Sequence, residues 1–193
     1  MHNTLGSQLD RRQQGFTLIE VLVSMVVLTI GLVSLLGVFV MAMAKTQSTQ
    51  QDMIAKQVAQ EAYEALFTAR ETSNVSWAQI QNVGTGNVPD GIFTTGMQSI
   101  RQAGNDGIIG TADDSGASPQ SMTLPGPDGI VGTSDDIIMP LTNFRRSITI
   151  TPVVNGGVIS ADLRNVTIAV QYYTTQSKYP KTYTLSGFIS QYR

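Results

Sequence analysis

Gly15-Phe16-Thr17-Leu18-Ile19-Glu20-Val21-Leu22-Val23 opens a run of 29 residues, Phe16 to Ala44, in which Glu20 is the single ionisable side chain. A helix needs about 20 apolar residues to cross a bilayer, and 29 residues at 1.5 Å each reach roughly 43 Å. A removable secretory signal has an apolar core of only about 7–15 residues before a small-residue cleavage site. This run is far longer and passes directly into a helical pattern. Arg11 and Arg12 precede it, and Lys45 and Lys56 follow. The closer cluster of positive charge is N-terminal, which predicts a cytoplasmic N-terminus and export of residues 45–193. Glu20 is the odd member. An acidic side chain at the centre of a membrane helix costs about 2.5–3.5 kcal/mol, and less near its end.

The heptapeptide Gly15 to Val21, set between a short polar leader with two arginines and a long apolar run, resembles the class III signal of type IV prepilins and pseudopilins. The resemblance covers roughly residues 8–70. It implies that a prepilin peptidase cuts between Gly15 and Phe16 and methylates the new Phe16 amine. It also implies that Glu20 is an assembly charge. When helices stack with a stagger, Glu20 of one subunit meets the Phe16 amine of another. Removing one member of such a buried pair costs about 3–5 kcal/mol, so the pair enforces register. Ile30-Gly31-Leu32 and the Ala/Gln-rich helix beyond look most like the PilV-like minor pilins that modify pili; type II secretion pseudopilins share the same opening. The resemblance implies a minor pilin held in the bacterial inner membrane by one pass, with its head periplasmic, and then incorporated into a type IV pilus. The implied partners are the prepilin peptidase, the membrane, other pilin subunits through the N-terminal helix, and the pilus assembly platform.

Beyond the apolar run, Ile54, Val58, Ala62, Ala65, Leu66 and Ala69 recur at three- and four-residue spacing, opposite Gln51, Lys56, Gln60, Glu64 and Arg70. That periodicity predicts one helix from about Phe16 to Ala69, its second half docked on a head. Near the C-terminus Ile148 and Ile150, with Pro152 as a possible third member, alternate with Ser147, Thr149 and Thr151. Val166, Ile168, Val170 and Tyr172 alternate with polar neighbours, as do Tyr183 and Leu185. Period-2 patterns separated by Asn155-Gly156-Gly157 and Ser177 to Pro180 predict an antiparallel sheet of at least three strands. The expected fold class is α+β and pilin-like. Its parts are a leader (1–15), a transmembrane and assembly half-helix (16–44), an amphipathic half-helix (45–72), a Gly/Asp-rich loop region (73–144) and the sheet (145–193).

The loop region contains a repeat. Gly104-Asn105-Asp106-Gly107-Ile108-Ile109-Gly110-Thr111-Ala112-Asp113-Asp114 recurs 22 residues later as Gly126 to Asp136, with eight of eleven positions identical. Between Gln102 and Phe144 there are six aspartates and no Lys, Arg or Glu. Each copy is similar to the second half of an EF-hand loop, with Asp106 or Asp128 in the turn and Asp113 or Asp135 at the terminal place. The first two side-chain ligands of an EF-hand are missing. A simpler Ca²⁺ loop using Asp106, Asp113, Asp114, Asp128, Asp135 and Asp136 is one reading; solvated turns without an ion and an adhesive loop are the others. Hard oxygen donors favour Ca²⁺ over transition metals.

Composition narrows the function classes. With 14 acidic and 12 basic side chains the net charge is −2, which supplies no concentrated positive field for nucleic acid. Cysteine is absent and His2, inside the expected leader, is the single histidine. Thiolate nucleophiles, Ser-His-Asp triads and thiolate zinc sites are therefore excluded. The scattered cations Arg164, Lys178, Lys181 and Arg193 read as solvated surface. The chain is expected to be a non-enzymatic subunit that requires no cofactor. A membrane-anchored calcium-binding or adhesive module is the reading from a different class.

Overall fold

The computed structural model describes residues 15–84, 91–174 and 177–192; the leader residues Met1–Gln14 and Arg193 lie outside them. The chain forms two compact units, Met1–Lys45 and Thr46–Arg193. Helix α1 (Leu18–Glu71) is continuous over 54 residues.

In the first unit α1 starts with a cap written in the sequence. The Glu20 amide donates to the Thr17 carbonyl (3.1 Å) and approaches Thr17 Oγ1 (3.3 Å), and the Val21 amide donates to the Thr17 carbonyl (3.2 Å). Thr17-Leu18-Ile19-Glu20 has the Thr-x-x-Glu spacing of a capping box, which satisfies amide groups that the first helical turn leaves open. Downstream, the three hydroxyls bond within the helix: Ser24 to the Val21 carbonyl, Thr29 to Met25 and Ser34 to Ile30, at 2.7–2.9 Å. Such back-bonding leaves no loose donor, as hydrocarbon requires. Every residue from Gly15 to Met43 is exposed. The most apolar 18-residue window of α1 has a mean hydropathy of 2.6 and none of it is buried. Gly31 and Gly37 do not interrupt the helix.

In the second unit the remaining part of α1 buries Ser48, Ile54, Ala55, Val58, Ala59, Ala62, Leu66 and Ala69. The stripe is wider than the periodicity suggested, because Ala55 and Ala59 join it while Ala65 is half-buried. Small side chains there bring the helix close to the sheet. A Cβ on Gly187 would run into the Tyr63 ring, so that position stays without a side chain where the two layers meet.

The sheet has the antiparallel order β1-β4-β5-β6, with β1 Gln98–Ser99, β4 Phe144–Asn155, β5 Val158–Tyr172 and β6 Lys181–Ser190. In β5, Val166, Ile168, Val170 and Tyr172 face the core, as their alternation predicts. Asn155 pairs with Val158 across Gly156 and Gly157, whose φ values of 58° and 82° fit the two-residue turn that strand twist favours. In β4 the alternation stops sooner than expected. Pro152 is exposed and the register shifts between Pro152 and Val154, because proline has no amide to place in the ladder.

The described residues of the 73–144 region are more ordered than their composition suggests. Asn82 is buried and stands in for a strand: its amide nitrogen donates to the Ile148 carbonyl (2.7 Å), and its carbonyl accepts the Ile150 amide (2.7 Å). Ile80, Phe93, Ile100, Ile108 and Leu141 add to the core. Strands β2 (Ser121–Leu124) and β3 (Ile137–Pro140) form a separate antiparallel pair. The second repeat copy, Gly126 to Asp136, is the loop of this hairpin. The first copy, Gly104 to Asp114, is closed in the same manner by the bridge from Arg101 to Pro119 and the Gln102 amide to the Ser118 carbonyl.

Two cations expected on a solvated surface are instead clamps. Arg164 is half-buried, lies 4.2 Å above the Trp77 ring and donates to the carbonyls of Trp77 (2.6 Å) and Ile80. Lys181 bonds Ser48 Oγ (2.9 Å) and Asp52 (3.3 Å), and Asp52 also accepts from Tyr172 Oη (2.7 Å). Planar guanidinium and long apolar stems let both residues serve as packing groups.

Candidate functional site at the helix start and the Asp-Gly loops

Gly15, Phe16 and Glu20 sit at the free start of α1. Phe16 is 82% exposed, and Glu20 is exposed in the first helical turn. Among the described residues none provides Glu20 with an ion pair. A carboxylate in the first turn is favoured by the helix dipole, and among the described residues no ion pair takes up its remaining bonding capacity.

The two Asp-Gly loops share one internal hydrogen-bond pattern. In the first copy, Asp106 Oδ1 accepts the Ile108 amide (2.8 Å), and Asp113 Oδ2 accepts the Asp106 amide (3.1 Å). Asp114 accepts the amides of Gly104 (2.8 Å) and Gly110 (2.5 Å). The second copy repeats three of these bonds, with Asp128 on Ile130, Asp135 on Asp128 and Asp136 on Gly132, while Asp136 Oδ1, the counterpart of the oxygen on Gly104, is buried without a hydrogen bond. The repeated glycines follow from the same geometry. Gly107, Gly110, Gly129 and Gly132 have φ between 69° and 98°, and a Cβ on Gly104 or Gly126 would strike the Asp113 or Asp135 carboxylate.

Thr111 Oγ1 lies 2.6 Å from Asp113 Oδ1, 3.0 Å from Asp106 Oδ2 and 3.2 Å from the Ile108 carbonyl. One hydroxyl proton serves only one of these acceptors at a time. Oxygens of Asp106, Asp113 and Asp114 lie within 4.8 Å of one another. Asp128, Asp135 and Asp136 occupy their own loop, and the hydrogen bonds described stay within each copy. The Thr111 hydroxyl, followed by the Asp106 amide, holds the Asp113 carboxyl below the usual aspartate value, and Thr133 does the same for Asp135. Burial pushes the Asp114 carboxyl up.

The copies differ in context. Ile108 is 7% exposed, whereas Ile130 and Val131 of the second copy are 60% and 59% exposed. One copy is anchored in the core and the other is displayed at a hairpin tip.

Arg146 was not singled out by its neighbours in sequence. It is 5% exposed, on the core face of β4 with Phe144, Ile148 and Ile150. The phase of Phe144-Arg145-Arg146-Ser147-Ile148 carries that signal, since alternation puts Arg146 where an aliphatic residue is expected. Burial lowers its pKa, and the opposite charges of Glu61 and Asp114 partly offset this.

No curated protein and no solved structure matches the chain. Residues 10–36 match the family model described as the prokaryotic N-terminal methylation motif. This motif, together with an apolar helix fully exposed from its first turn, fits anchoring in the inner membrane, and it implies processing by prepilin peptidase and assembly with other pilins. The N-terminal segment is a type IV prepilin-like class III signal, which supports a type IV pilin or pseudopilin subunit.

Proposed function

We propose that the protein is a non-catalytic minor pilin of a type IV pilus. On this reading it is stored in the inner membrane with its N-terminus cytoplasmic and its head periplasmic. It is cut between Gly15 and Phe16, methylated on the Phe16 amine, and drawn into the filament by the assembly platform. The observation that carries the proposal is Glu20 in the first turn of α1, with no ion pair among the described residues, on a segment that is exposed from Gly15 to Met43. Cleavage would put an ammonium of ordinary pKa about 7.7–8.0 four residues away, and methylation would keep it cationic. The carboxylate of one subunit then pairs with the amine of the next, and the exposed apolar faces pack together. Ile30-Gly31-Leu32 favours the PilV-like group over a type II secretion pseudopilin. Mass spectrometry of the protein from membranes is the test. We expect a chain starting at methylated Phe16; an intact Met1, or a cut elsewhere, overturns the proposal.

The second reading adds Ca²⁺ to the head. It is favoured by Asp106 Oδ2 and Asp113 Oδ1 converging on a hydroxyl that has one proton to share, in a stretch without a cationic side chain. Asp106, Asp113 and Asp114 would supply oxygen ligands, and Ca²⁺ would take the place that disulfides hold in other exported heads. Asp128, Asp135 and Asp136 would form the equivalent loop at the hairpin tip. Calorimetric titration of the full chain in detergent should show binding. Absence of heat at millimolar Ca²⁺ removes this reading and leaves the pilin proposal intact.

A further inference from the structure

A cavity of about 280 Å³ opens beside β4. Its lining includes Arg146, Arg101, Thr94, Ser99, Ser115 and Asp114. Arg146 is the unusual member. It is 5% exposed, its Nη1 is buried without a hydrogen-bond partner, and no acid lies within ion-pairing distance among the described residues. Leaving a buried guanidinium nitrogen without a hydrogen bond is costly, so Nη1 calls for a compensating acceptor.

The two nearby acids are turned elsewhere. Asp114 Oδ1 accepts from the Gly104 amide and Oδ2 from the Gly110 amide, and Glu61 Oε1 accepts from Gln120 Nε2 (2.7 Å). Arg101 spends Nη1 on the Ala117 carbonyl (2.6 Å), leaving the rest of its fork for the cavity. Two guanidinium groups against one carboxylate leave the lining with one excess positive charge. Four hydroxyls line it, from Thr94, Ser99, Thr111 and Ser115; Thr94 already donates to the Gly110 carbonyl (3.0 Å) and Thr111 to Asp113 (2.6 Å), which leaves the protons of Ser99 and Ser115 for an added acceptor. Forked donors match planar oxyanions, and the volume lies at the small end of ligand pockets.

We propose that this cavity binds a carboxylate, held by Arg146 at its base and by Arg101 and the hydroxyls at its rim. The inference does not depend on the filament reading. The carboxylate comes either from a free small molecule or from an acidic side chain of a neighbouring chain.

Full-length protein in detergent, at fixed pH and ionic strength, is titrated calorimetrically with sodium acetate and, separately, with N-acetylglutamate amide. Melting is followed in parallel. We expect one saturable site and a midpoint that rises with the probe, because a ligand of the folded state stabilises it. Arg146→Met should weaken binding by at least about tenfold. In probe-free buffer the same variant should melt at or above wild type, since an apolar side chain replaces an unpaired buried charge. Equal affinities assign a free carboxylate; preference for the glutamate derivative assigns a side chain. No saturable binding of either probe overturns the proposal, as does an Arg146→Met variant that keeps the probe response. Should Arg146→Met fail to fold, Arg101→Met, with partial loss of binding expected, and the wild-type titration decide the question.

Discussion

Glu20 lies in an apolar stretch and Arg146 on the apolar core face of β4, and neither has an ion pair among the described residues. They differ in how they meet water. Glu20 stands on an exposed helix turn, where bilayer or sister helices would surround it; Arg146 is enclosed by the head itself. On the filament proposal, Glu20→Gln keeps the shape and removes the charge, so the Phe16 amine of the neighbouring subunit loses its mate. The cost of an uncompensated buried charge is about 3–5 kcal/mol. Membrane levels of the variant should be normal while its abundance in sheared filaments, measured by immunoblot, falls at least about tenfold. Wild-type abundance in filaments would remove the pairing role.

At the scale of elements, the Asp-Gly loops are small hydrogen-bonded units whose stability should follow pH. Thr111 and Thr133 hold Asp113 and Asp135 below the ordinary carboxyl value. A folded value below the unfolded one adds stability that is complete above about pH 3.9 and is lost as pH falls through the folded value. Asp114 runs the other way: burial raises its value, so its protonation on acidification relieves a cost. Amide protection at Asp106 and Asp128 should therefore decline only below about pH 4. Thr111→Ala should raise the Asp113 titration toward the ordinary value by carboxyl NMR, and Thr133→Ala should do so for Asp135. Titration curves unmoved by either change would show that the hydroxyls do not set these carboxyls. Thr111→Ala should also cost about 1 kcal/mol in thermal stability, and Thr133→Ala less, because Thr111 is buried and Thr133 is exposed.

Of the two units, the first exposes every described residue from Gly15 to Met43, and the second has its own closed core. A soluble protein rarely exposes so much contiguous apolar surface, and here it begins with the methylation motif. The proposed topology has a direct consequence. Protease added to spheroplasts should digest residues 46–193 and leave a membrane-bound fragment containing the 16–44 segment. Full protection of the head in spheroplasts would reverse the orientation.

The apolar run, the amphipathic stripe and the β5 alternation were all legible in sequence, because each is a local pattern that one element imposes. The Asp-Gly repeat was equally visible as a pattern. Its two fates were not: Ile108 is buried and Ile130 exposed because different surroundings receive closely similar loops. Asn82 acting as a strand, Arg164 over Trp77 and Arg146 beside its cavity depend on residues tens of positions apart. Periodicity names the face on which a side chain lies. What waits on that face is decided by which distant segments pack there, and burial turns the same arginine from a solvated charge into a demand for a partner.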